Sequence, residues 1–138
     1  MLVGLRRSWA EDRLREDSEP YGEDKYLFAH ERLKAYQTSL ELVGWFHHLP
    51  GGPELSSRLF RQIDKASTSV VLNLAESNGR HLEADRRQFL EIAESSIVKV
   101  AAYVDLCQRL GELESTHRAT GMELVEQIAI MVRGLSGL

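Results

Sequence analysis

Apolar residues recur at spacings of three and four through four separate stretches of this chain, and that period makes a helix the regular element each stretch can form. In the first, Leu33, Tyr36, Leu40, Val43 and Phe46 share one face and predict a helix over 29–48. Leu49-Pro50-Gly51-Gly52-Pro53 stops it, because proline cannot continue the backbone ladder and glycine supplies turn dihedrals. Pro53 also suits the first position of the next helix, with Glu54 in its positively polarised first turn. That helix is predicted over 53–77, with Leu55, Leu59, Ile63, Ala66, Val70 and Asn73 facing inward. Small residues at 66, 67 and 69 let a neighbouring helix come close, and Gly79 is expected to take a left-handed conformation past the helix end.

The third helix is predicted over 83–111, with Phe89, Ile92, Ala93, Ser96, Val100, Tyr103, Leu106 and Leu110 facing in and Gly111 ending it. The fourth covers 115–134. Leu124, Ile128, Met131 and Leu135 are in line, and Val125, Ala129 and Val132 widen the stripe. Ser115 or Thr120 is the expected cap, Thr120 and Glu123 having the spacing of a capping box, while Gly121 weakens the first turn.

Helices of this length joined by short connections pack as antiparallel neighbours. The expectation is an all-α, antiparallel up-down-up-down four-helix bundle over residues 26–138, preceded by a mobile charged arm over residues 1–25. In the arm, Pro20-Tyr21-Gly22 punctuates a segment poor in apolar anchors, and Arg6, Arg7, Arg13 and Arg15 stand beside Glu11, Asp12, Glu16 and Asp17, which neutralise them.

A chain of 138 residues holds about one domain and can bury one core without metals or disulfides. The single cysteine, Cys107, has no internal partner and lies in an apolar helical pattern, so a buried thiol is expected rather than a nucleophile. No run of 18 apolar residues is present, and the apolar start at Met1–Leu5 precedes the arginines, the reverse of a signal peptide, so a cytoplasmic protein is expected. Net charge is −4, divided equally between residues 1–25 and 26–138. That balance gives no global attraction to phosphate, so a nucleic-acid site would have to be a local patch.

The stretch Gln62–Arg80, QIDKASTSVVLNLAESNGR, carries a resemblance. Gln62-Ile63-Asp64-Lys65-Ala66, Ser69, Asn73-Leu74-Ala75-Glu76-Ser77 and Gly79-Arg80 resemble the central motif of the bacterial four-helix-bundle proteins related to the 23S ribosomal RNA intervening-sequence protein. Glu31, Leu33, Lys34, Tyr36 and Gln37 are similar to that family's opening helix, and Phe89-Leu90, Ile92-Ala93 and Ser96 to its third, so the likeness covers residues 30–138. The chain departs from the pattern at Asp64, where a basic residue is usual, at Ser77 in place of a glycine, and at Val71 in place of a proline. Leu82 stands where Ser or Thr would cap the third helix, Arg86 replaces an aromatic and Lys99 an acid. The resemblance implies a homopentameric, ring-like bundle. A distantly related branch, the accessory proteins of diversity-generating retroelements, binds nucleic acid and is strongly basic, as this chain is not.

No spacing points to catalysis, to a cofactor or to a metal. His30, His47, His48, His81 and His117 form no His-x-x-x-His pair, and a metal site needs more ligands than any one of them brings with it. General acid–base chemistry would need a second positioned group beside Glu76 and Arg80. The motif residues Gln62, Asn73, Glu76, Gly79 and Arg80 are read as structural. Asn73, on the apolar stripe, is expected to make an interhelical or intersubunit hydrogen bond, because leaving its amide unsatisfied costs on the order of 1–3 kcal/mol. Arg80 either pairs with Glu76 or caps the second helix, binding of an anion being the alternative.

Arg58, Arg61 and Lys65 share a face, and with Arg80, Arg86 and Arg87 they make the one local basic excess, suited to phosphate backbones rather than to bases. The competing reading is a solvated face bridged to Asp64 and Asp85. Of Trp45 and Phe46, one is free to lie on an outer face, where a tryptophan favours a protein contact. Together these readings describe a non-enzymatic, homo-oligomeric scaffold or adaptor that docks a protein or nucleic acid, the alternative being a nucleic-acid-binding accessory protein that uses the basic patch.

Overall fold

The computed structural model describes residues 33–50 and 57–136 and forms four helices from them. They are α1 (Lys34–His47), α2 (Ser57–Asn78), α3 (Glu83–Arg109) and α4 (Ser115–Ser136). The expected arm at 1–25 and the capping role of Pro53 and Glu54 lie outside the described residues. Each helix touches the one before and the one after it, α4 also touches α1, and the diagonal pairs do not meet. This is the up-down-up-down bundle that four amphipathic stretches with short connections require.

Helix ends follow local chemistry. The closing residue that needs glycine is Gly111, at φ +77, and not Gly79, which does not adopt a positive φ. At Gly111 the chain makes a Schellman turn: the Gly111 N–H donates to the Gln108 carbonyl at 3.0 Å and the Glu112 N–H to the Cys107 carbonyl at 2.8 Å. α2 instead ends by tightening, with the Gly79 N–H bonded to the Glu76 carbonyl at 3.1 Å and the Arg80 N–H to the Ser77 carbonyl at 3.3 Å. α3 starts from Leu82, which has extended backbone and makes no side-chain cap, as the lost Ser or Thr implied. Thr120 does not cap α4. It lies inside the helix, its hydroxyl bonded back to the Thr116 carbonyl at 3.3 Å, and the helix begins at Ser115, whose Oγ accepts from Gln108 Nε2 at 2.9 Å.

The core sits where the four buried stripes meet. Leu59, Ile63, Ala66 and Val70 supply it from α2, as expected, but the next buried position is Leu74 and not Asn73, which is half-buried, and Leu55 lies outside the described residues. The other three helices keep part of the expected face (Phe46 in α1; Ala93, Ser96 and Val100 in α3; Val125, Ile128 and Val132 in α4) but turn the rest of it. α1 buries Ala35, Ser39, Leu42 and Phe46, and leaves Leu40 exposed. α3 buries Leu90, Ala93, Ile97, Val100, Val104 and Cys107, and exposes Ile92, Leu106 and Leu110. α4 buries Gly121, Val125, Ile128 and Val132, and exposes Leu135. The physical reason is close approach. Residues such as Ala35, Ser39, Ala93, Ser96 and Gly121 add little hydrophobicity, yet they let backbones come near, so they take the seams and displace larger side chains to the flanks.

Candidate interaction surface

α2 and α3 form the most intimate pair, and small polar residues line it. Ser69 Oγ and Ser96 Oγ share a hydrogen bond of 2.8 Å across the seam. Asn73 does not cross it. Its Nδ2 donates to the Ser69 carbonyl at 2.8 Å and to Ser69 Oγ at 3.1 Å, so the asparagine orients the serine that makes the interhelical link. Ser67 and Ser77 are buried, and their hydroxyls turn back to the carbonyls of Asp64 and Leu74.

Beyond the end of α2, Arg80 pairs with Glu76 at 2.6 Å and lies over the Phe89 ring at 4.7 Å, so the guanidinium ties α2 to α3 instead of capping carbonyls. Gln62 is exposed. The basic residues separate into two groups. Arg80 and Arg87 have carboxylate partners, Glu76 and Glu83. Arg58, Arg61, Lys65 and Arg86 are exposed, and among the described residues no carboxylate lies within 4 Å of them. Of the two acids expected to bridge them, Asp64 turns the other way to His47 Nε2 at 2.8 Å on α1, and Asp85 makes no ion pair among the described residues. His48 points elsewhere, its Nδ1 against the Gly44 carbonyl at 2.7 Å.

Exposed apolar side chains accompany these cations. Leu72 continues the Arg58–Lys65 stripe of α2 and is 58% exposed. Ile92 and Leu106 are two heptads apart, hence on one strip of α3, and Leu110 follows a turn later. Sequence reading placed these three in the core and so missed them as surface. The signal present was the excess of apolar positions in α3, more than one buried stripe can hold. Phe46 is fully buried and meets Phe60 at 4.7 Å, whereas Trp45 is half-buried, with its indole on Gly121 of α4.

Nothing in the described residues assembles a reaction centre. An open groove of about 580 Å³ at the α3–α4 connection is lined by Gln108, Glu112, Leu113, Glu114, Ser115 and His117. Within it Gln108 Nε2 donates to Ser115 Oγ. Cys107 is buried beside it, and burial, then the Glu112 charge, pushes its thiol above the usual range, which keeps it protonated and unreactive. Among the described residues no group of three or more His, Cys, Asp or Glu side chains is placed to hold a metal ion, and no helix is long and apolar enough to cross a membrane.

No curated protein was found to match the chain. The family model described as 23S rRNA-intervening sequence protein matches residues 31–134, from just before α1 to near the end of α4. With all four helices inside that match, the chain belongs to the 23S rRNA-intervening sequence protein family.

Proposed function

We propose that this chain is a non-enzymatic, self-assembling helical-bundle module, a scaffold or adaptor on whose surface a protein or nucleic acid docks. The observation that carries the reading is the set of exposed apolar side chains on the α2–α3 side, Leu72, Ile92, Leu106 and Leu110, in a bundle whose core is already complete without them. Large apolar groups left in water gain free energy by leaving it, so these exposed positions favour association. Light scattering on the full chain tests it. The expected result is a mass that is a multiple of the protomer at micromolar concentration, and a strict monomer there overturns the assembly.

A second reading has one observation in its favour. Arg58, Arg61, Lys65 and Arg86 are exposed without carboxylate partners among the described residues and so are available to phosphates, whereas Arg80 and Arg87 are engaged. A nucleic-acid-binding accessory protein of this kind would bind RNA or DNA in a salt-sensitive way, and more weakly after Arg61→Glu and Lys65→Glu. Absence of binding at low salt overturns it.

A further inference from the structure

The outward stripes of α2 and α4 carry opposite charge. On α2, Arg58, Arg61, Lys65, Thr68 and Leu72 alternate by three and four, all exposed, on the face opposite the buried stripe. On α4, Ala119, Glu123, Glu126, Ile130 and Gly134 recur at spacings of four, three, four and four, all exposed and opposite the buried stripe, and Ile130 is 70% exposed. Neither glutamate has an ion-pair partner among the described residues. Because α2 and α4 are diagonal in the bundle and do not touch, the two stripes lie on different sides of it.

Their heights correspond. Ser69 is level with Ser96 by their hydrogen bond. The Glu94–Arg133 and Asp105–Arg118 pairs then put Ser96 level with the turn around Ile130. α2 and α4 run in the same direction, so stepping back a turn from each puts Lys65 level with Glu126, and a second turn puts Arg61 near Glu123. Leu72 lies within a turn of Ile130's level.

From this correspondence we infer that the α2 stripe of one copy packs against the α4 stripe of the next, side by side with their helices parallel. Arg61 and Lys65 meet Glu123 and Glu126, and Leu72 meets Ile130. The contact rests on the self-assembly reading above and adds its surface and polarity. A two-fold pairing of like faces would set cations on cations or carboxylates on carboxylates, so the association is head-to-tail.

Charge reversal on the full chain tests the contact, with light scattering for mass and circular dichroism for fold. All four charged side chains are exposed, so the helical spectrum is expected to stay that of the wild type. Arg61→Glu/Lys65→Glu and Glu123→Lys/Glu126→Lys are each expected to weaken association by about a hundredfold or more. The quadruple variant, with both stripes reversed, is expected to regain it. Reversed pairs that assemble as the wild type does, with or without lost RNA binding, overturn this contact while leaving assembly standing. A quadruple variant that stays apart also overturns it. A wild-type monomer overturns both readings.

Discussion

At Gly121 a hydrogen stands where any other residue would carry a carbon, and the indole of Trp45 fills the space. A Cβ built there would come within 2.4 Å of Trp45 Cη2 and 2.5 Å of Cζ2, closer than nonbonded carbons approach. Gly121→Ala therefore displaces a ring wedged between α1 and α4. The expected cost is about 1–3 kcal/mol, despite alanine's better helix propensity, read from chemical denaturation. Trp45→Phe removes the outer ring atoms that clash, and also a buried Nε1–H that has no acceptor among the described residues, so in the Gly121→Ala background it recovers most of the loss. Gly134, on the same helix with nothing within 4 Å of its added Cβ, is the control: Gly134→Ala is expected to stabilise by about 0.5–1 kcal/mol. Sequence alone shows Gly121 as a weak first turn, because the ring that explains it comes from a helix 76 positions earlier.

Helix ends give predictions that separate two glycines of similar appearance. Gly111 holds φ +77, so Gly111→Ala costs about 1–2 kcal/mol, whereas Gly79 is not left-handed and meets only ordinary contacts, and Gly79→Ala is expected to stay within about 0.5 kcal/mol. Leu82 already has the extended backbone of a cap but no oxygen to offer the first free N–H groups of α3. Leu82→Ser is expected to stabilise by about 1 kcal/mol in thermal or denaturant unfolding. The same scale shows what sequence can disclose. Over the described residues the course of every helix was legible from apolar period and from Pro and Gly, as was the buried stripe of α2 from Leu59 to Val70, where large apolar residues hold the seam. The faces of α1, α3 and α4 were legible only in part, since period is preserved when a helix turns by one residue, and the seams were chosen by size. The candidate surface was half legible: Arg58, Arg61 and Lys65 follow from spacing, but Asp64 turning to His47, and Ile92, Leu106 and Leu110 turning outward, depend on neighbours that only the fold supplies.

In the whole molecule, a basic stripe on one side and an acidic stripe diagonally across make a bundle with a direction. If copies join along that direction, folding and association are linked: each protomer is stabilised by its neighbour, and the stabilisation grows with the logarithm of concentration. Tenfold more protein then adds about 1.4 kcal/mol per protomer at most, which for a domain of this size raises the thermal midpoint by roughly a few degrees. The charged part of the contact is screened by salt and the Leu72–Ile130 part is not, so salt lowers the midpoint of the concentrated protein toward, but not to, that of the dilute one. Scanning calorimetry across about a hundredfold range of concentration, at low and high salt, is expected to show both shifts. A midpoint that ignores concentration would mean that the exposed stripes of α2 and α4 meet only solvent.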